Sequence, residues 1–463
     1  MKKTWLGIIS AILVLSLVAC AGGQNSGTEQ NAGTNAAQGS GQQSAAPSGT
    51  SSGVVKVPIM MRNAGNDSQA VINEFMVENY NKLYEGQYEL EVEWLPGVAE
   101  DYRTKLKMLN ASNDLPAWLY DLHAETAFAE LLIQNNRLVD LKPHFDASPE
   151  WQRMAIPESV EFNTTADGKM YTSPAVSTEY VGIFYNKEHF QNAGIASFPE
   201  TWDDFWDACN KLKAAGYTPL SLHTTETGWC PMLLGTSTMA LSDEGQAFMN
   251  QMFPTDFNVP VVINMLDVIT RLFTYSTADA VGGNYALAAN NFCSGNTSMI
   301  PNGPWMVASL SDPQFAPEGF EEKVGYAMYP GKTMLSNQGK IYEMAVSVDH
   351  PEEVQLGAIE LVKYRASEEF IRFNAVHAGY FSTVVPLTDE DMESLSPVMR
   401  EYAARVLEIE RTLLRYQAQW DPLTQNEVIS TELVSLINGT ITSEEMATKM
   451  SESAAKFATD SQG

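Results

Sequence analysis

The stretch VGIFYNKEHFQNAGIASFPETWDDFWDACNKLKAAGYTPLSL, residues 181–222, carries a strand, two helices and a second strand in unbroken succession. VGIFYN is a short apolar run of the kind that forms a buried strand. KEHFQNAG reads as a helix closed by Gly194. TWDDFWDACNKLKAAG reads as another, with Thr201 and Asp204 in capping-box spacing at its start and Gly216 at its end. TPLSL is the returning strand. A strand that is followed by helix and then strand needs a crossover connection, so this unit predicts an α/β fold with a largely parallel sheet.

The same alternation recurs upstream. VVKVPIMM (54–61) is a buried strand, and the helix after it places Ile72, Phe75, Met76, Tyr80 and Leu83 on one stripe. YELEVEW (88–94) alternates Tyr88, Leu90, Val92 and Trp94 with three glutamates, which predicts a strand with one wet face. A helix near 99–110, a strand at AWLY (117–120) and a helix near 125–135 follow. Downstream, KVGYAMYP (323–330) and YEMAVS (342–347) read as strands, and residues 387–463 carry almost only helical patterns. The chain after about residue 54 is too long for one ordinary domain and suits two.

Composition narrows the functional classes. Of 463 residues, 44 % are hydrophobic and 18 % charged, a globular profile. The net charge of −29 argues against nucleic acid or an anionic polymer as partner. Cys20 aside, Cys209, Cys230 and Cys293 allow at most one disulfide, and neither they nor the six histidines show zinc spacing. No metal or cofactor is expected. The N-terminus differs from the rest. Lys2 and Lys3 precede an apolar run, Trp5–Ala19, that is shorter than the ~20 residues a membrane span needs. Leu17-Val18-Ala19-Cys20 resembles the lipobox of bacterial lipoproteins, which implies a signal peptide over 1–19, lipidation at Cys20, and attachment to the extracytoplasmic face of the cell membrane. Residues 21–53, rich in Gly, Ser, Ala, Gln, Asn and Thr, cannot bury enough apolar surface to order, and predict a tether with a reach of ~30 Å.

Catalytic signatures are missing: the sequence has no P-loop, and neither a GxSxG elbow nor a GxGxxG follows a strand. What stands out is aromatic residues beside turn signals. Trp229 lies in TETGWCP, Trp305 in NGPW, Tyr380 in HAGYFSTVVP and Trp420 in YQAQWDP. Flat aromatic platforms with polar groups at the rim suit sugars, which present an apolar face and a border of hydroxyls.

Residues 179–222 resemble the family 1 extracellular solute-binding proteins, the lipoprotein receptors of carbohydrate ABC importers and distant kin of the maltose-binding proteins. The matching positions are Tyr185, Asn186, Lys187, Ala193, Gly194, Ile195, Pro199, Thr201, Trp202, Asp203 and Phe205, with Asp204 in place of the usual Glu. Segments 92–120 and 291–305 agree, apart from Ala117 where an Asp is usual and CSGNTSM where Gly-Lys-Ala-Ala-Met is usual. The resemblance implies a two-lobe, periplasmic-binding-protein-like (Venus flytrap) α/β fold with three interlobe crossings, near 176–182, 327–331 and 378–386. Lobe one becomes 54–178 plus 331–379, and lobe two 180–328 plus 381–463. Trp305 becomes a stacking platform, and Glu179 and Tyr180 lie at the cleft beside the first crossing. Arg62, Asn63, Asp121 and His123 form the polar rim of lobe one, beyond the carboxyl ends of strands, where α/β sheets hold ligands. Trp229, Tyr380 and Trp420 complete the set. The expected protein is a non-enzymatic monomeric receptor that captures a sugar or oligosaccharide and passes it to membrane permease subunits. The competing expectation is a surface-anchored glycosidase or lyase.

Overall fold

In the computed structural model, which describes residues 53–62, 68–96, 99–122, 126–337 and 339–460, ten strands form three sheets. They are β1 (Val55–Arg62), β2 (Tyr88–Leu95), β3 (Trp118–Leu119), β4 (Gly182–Asn186), β5 (Thr218–Leu220), β6 (Thr297–Asn302), β7 (Val324–Ala327), β8 (Thr333–Ser336), β9 (Ala345–Val346) and β10 (Arg411–Leu414). Residues 1–52, which hold the expected signal peptide, Cys20 and all but the last residue of the expected tether, lie outside the described residues. Among the described residues no helix is long and apolar enough to cross a membrane.

The first lobe is built on the order β2-β1-β3-β9. β1 is parallel to both β2 and β3, and β9 closes the edge antiparallel to β3. β2 behaves as its alternation predicts: its glutamates are exposed and Leu90 is buried, although Trp94 is 37 % exposed. Two helices cover the sheet, Ser68–Leu83 and Glu352–Arg365. They are joined where the buried Tyr80 hydroxyl donates to the Gly357 carbonyl at 2.8 Å. Val57, Met61, Tyr80, Trp118, Leu119 and Leu361 lie at the centre of this core, all nearly inaccessible.

The second lobe has the order β5-β6-β4-β7 and departs from the largely parallel expectation. β4 is antiparallel to both neighbours, and only β5–β6 is parallel. β4 follows directly on the first crossing, so it enters this sheet from the opposite end to β6. The helix Trp202–Ala214 begins as predicted, with Thr201 Oγ1 accepting from the Asp204 N–H at 3.2 Å. Residues 387–463 are not purely helical: β10 pairs in parallel with β8, Leu414 opposite Ser336. Its four residues are too short to declare a period of two.

The crossings themselves are hydrogen-bonded. Thr178 and Phe381 exchange two backbone bonds at 2.9 Å, and Val181 and Leu335 exchange two at 2.7 and 3.1 Å. The Thr178 and Ser336 hydroxyls meet at 2.8 Å. Thr178 and Val181 lie in the segment 176–182 and Phe381 in 378–386, but neither Leu335 nor Ser336 lies in 327–331. β8 pairs with β10, and Met334 and Leu335 pack into the cores of the second lobe, so the chain returns over 337–344 rather than 327–331. Residues 331–336 thus pack with lobe two.

Candidate functional site

Parallel pairing sets the lobe-one side of the site. Ile59 pairs with Trp118, so by the same offset Arg62 at the end of β1 stands beside Asp121, just beyond β3. Tyr120 fixes this corner: its hydroxyl accepts from the Arg62 N–H at 3.0 Å, and burial pushes that phenol up to about 12. Asp121 adopts φ of 58°, uncommon outside glycine and tolerated by Asp, and Arg103 Nη1 lies 3.1 Å from its Oδ2.

On the other side, β6 ends in the NGPW turn. Asn302 Oδ1 accepts from the Gly303 N–H at 2.9 Å, which starts the turn Pro304–Met306. Gly303 is required by contact: a Cβ there would lie 2.1 Å from the Trp305 ring, which packs directly against it. Behind Trp305 stand Trp229, centroid to centroid 6.1 Å, and Tyr285, 4.7 Å from Trp229. His223 braces Trp229 at 5.4 Å. It is fully buried, its Nδ1–H donates to the Thr225 carbonyl at 2.9 Å, and its Nε2 accepts from the Cys230 N–H at 3.4 Å. Burial holds its pKa down at about 4. Gly379, at φ of 70°, opens the third crossing against the same turn, where a Cβ would meet Pro304 at 2.5 Å.

Between these walls lies a cavity of about 440 Å³, within the size range of small-molecule sites. Arg62, Tyr120 and Asp121 line it from lobe one, Tyr285, Trp305 and Arg415 from lobe two, and Glu179, Asn337 and Tyr380 from the crossings. Glu343, Arg365 and Asn374 complete its polar rim. The charges are engaged with one another. Arg415 Nη2 pairs with Glu179 Oε1, both residues being buried, and Arg365 lies 3.9 Å from Glu343. Burial draws the Arg365 guanidinium below its usual range, and the Glu343 carboxylate opposes that shift.

Of the residues singled out from sequence, Arg62, Asp121, Glu179, Trp305 and Tyr380 meet at this cavity. Asn63 and His123 lie outside the described residues. Three positions do not line it. Tyr180 points into lobe two, its N–H donating to the Tyr402 hydroxyl and its carbonyl accepting from Tyr326. Trp229 forms the second rank behind Trp305. Trp420 is core: it is 1 % exposed and packed on Tyr416, Phe257 and Phe248. Sequence reading missed Tyr120, Tyr285, Asn337, Glu343, Arg365 and Arg415. Two signals were usable: AWLY, whose expected strand ends in Tyr120, and YEMAVS, whose expected strand carries Glu343 just before β9. Tyr342, beside Glu343, packs on Phe162, with ring centroids 5.1 Å apart.

Cys209, Cys230 and Cys293 are free, buried thiols. Among the described residues no three His, Cys, Asp or Glu side chains converge on a metal-sized site.

Comparison with known proteins supplies the context. The profile of the bacterial extracellular solute-binding proteins matches residues 76–390. The multiple sugar-binding protein of Streptococcus mutans serotype c is 26 % identical over 174 residues, 35 % of this chain and 39 % of that protein. The sn-glycerol-3-phosphate-binding periplasmic protein UgpB of Rhizobium meliloti is 32 % identical over 76 residues, 16 % of this chain and 17 % of its own. The chain thus spans well under half the length of the curated relatives it matches. In three dimensions, a chitin oligosaccharide binding protein superposes with a TM-score of 0.71 at 19 % identity, covering 87 % of this chain and 98 % of the other.

Proposed function

The chain belongs to the bacterial extracellular solute-binding proteins, and on that premise we propose that it is the receptor of an ABC importer, holding a neutral sugar or oligosaccharide between its lobes for delivery to a permease. The observation that carries this reading is the cavity itself, with an indole platform on one lobe and polar side chains on both. Sugar-binding and glycerol-phosphate-binding relatives both exist, and charge favours the first class. Arg62, Arg365 and Arg415 face Asp121, Glu179 and Glu343 across one space, so the lining is electroneutral. A phosphate would have to draw a guanidinium from its carboxylate and strand a buried charge, which is costly. A glycosidase needs two carboxylates available as acid and base or nucleophile. Here Glu179 and Asp121 are both held by arginines.

Ligand touching both lobes binds the closed form preferentially, and only that difference shifts the population. Three crossings let one lobe turn against the other through a few backbone torsions. Small-angle X-ray scattering of the full chain should therefore show contraction at a saturating concentration of a bound sugar, while chromatography after long incubation finds that sugar intact. An unchanged scattering profile, or cleavage that depends on the cavity residues, overturns the receptor reading.

The N-terminal sequence supports an extracytoplasmic protein held by lipids on Cys20, with residues 21–53 as tether. Mass spectrometry should find the mature chain beginning at acylated Cys20, and Cys20→Ala should be neither acylated nor membrane-bound. Acylation persisting in that variant would rule the anchor out.

A further inference from the structure

Parallel pairing of β8 and β10 has a consequence at their carboxyl ends. Leu414 lies opposite Ser336, so the next residues, Arg415 and Asn337, come out of the ladder side by side. Arg415 Nε donates to Asn337 Oδ1 at 3.0 Å, on the second crossing. Its Nη2 pairs with Glu179, on the first crossing. Its guanidinium carbon lies 5.9 Å from the centre of the Trp305 ring. Tyr380, on the third crossing, lines the same cavity as Arg415 and Glu179. Arg415, Glu179 and Asn337 are 8, 4 and 2 % exposed, so these contacts are poorly screened and removing one partner leaves another unsatisfied. A planar guanidinium can hold two acceptors in fixed directions at once, which a lysine ammonium cannot do with the same geometry.

We propose that Arg415 is a positioning residue that sets the angle between the lobes: it locks the first crossing to the second and holds both in register with the Trp305 platform. The lock is independent of which ligand the cavity takes, and its effect on affinity rests on the receptor reading given above. Loss of the lock releases the crossings from the platform, so the ligand-free lobes sample a wider range of angles. Binding must then select from that wider range, and affinity falls by the fraction of competent molecules.

The test is electron–electron distance measurement on the full chain, with spin labels at Glu85→Cys in lobe one and Asp203→Cys in lobe two, both exposed sites, in a Cys20→Ala background. The native thiols at 209, 230 and 293 are buried. Arg415→Met strands Glu179 and is the severe variant. Arg415→Lys keeps the charge and loses the fork. Glu179→Gln with Arg415→Met removes both charges and so tests the lock without a stranded ion. We expect the ligand-free distance distribution to shift or broaden in Arg415→Lys and further in the double variant. Dissociation constants for whichever neutral oligosaccharide binds should rise about tenfold or more, equivalent to some 1.4 kcal/mol. A merely structural residue would lower the melting temperature and leave the interlobe distances of the folded protein as in the wild type, and that result overturns the proposal. Because the distances are read without ligand, failure of every sugar to bind the wild type would overturn the receptor reading alone.

Discussion

Alanine at position 420 should remove about 3–5 kcal/mol of folding stability and leave the affinity of the folded protein for its ligand unchanged. Trp420 is wrapped by the edges of Phe257 and Phe248, with ring centroids at 5.0 and 6.3 Å, and by Tyr416 at 5.2 Å. Truncation leaves a cavity that these rings, fixed by their own neighbours, can only partly fill. Trp305→Ala should do the reverse. That indole is half-buried and faces the cavity, so its loss should cost about 1–3 kcal/mol of binding and far less stability. Urea unfolding and ligand titration on the two variants measure both quantities. A stability loss in Trp305→Ala as large as that in Trp420→Ala, with affinity intact, would return Trp305 to the core.

Acid should loosen the platform through His223. Its pKa is about 4 in the folded chain against an ordinary 6.5, so the unfolded state takes up the proton first. The contribution to stability is complete above pH 6.5 and is lost as pH falls from there toward 4. The difference corresponds to about 3 kcal/mol. Geometry makes the same point: a proton on Nε2 would face the Cys230 N–H that this nitrogen now accepts. Urea midpoints measured from pH 7 to 4 should fall steeply for the wild type and more gently for His223→Gln. Parallel profiles would mean that His223 carries none of the acid sensitivity.

Why some of the site was legible and some not follows from where its residues sit in the chain. Arg62 and Asp121 come directly after strands that the hydrophobic pattern declares, and the ends of strands are where an α/β sheet opens to ligand; Trp305 was marked instead by the turn signal NGPW. The Thr201 cap and the turn at Gly194 were equally plain, because local backbone chemistry is written in adjacent residues. Arg415 and Asn337 reach the cavity only because β10 pairs with β8, a contact between segments 78 positions apart. Arg365 arrives at the end of a helix whose charges look like an ordinary solvated face. Trp420 misled for the converse reason. An aromatic beside a proline reads the same whether the ring faces a cleft or a core, and tertiary packing alone decides.

The discontinuity of the lobes also bears on how the chain acquires its structure. β9 and the helix Glu352–Arg365 belong to the first sheet, yet they emerge only after the strands of the second. The bond between Tyr80 and Gly357 closes a loop of 277 positions. The second lobe waits in turn for β10. Neither half can therefore be finished while the chain is still being delivered from its N-terminus, and the ordering of long loops must be met before the contacts that reward it. A polypeptide of this topology stays incomplete until nearly its whole length is present. That delay leaves its apolar strands open to aggregation until the late segments arrive.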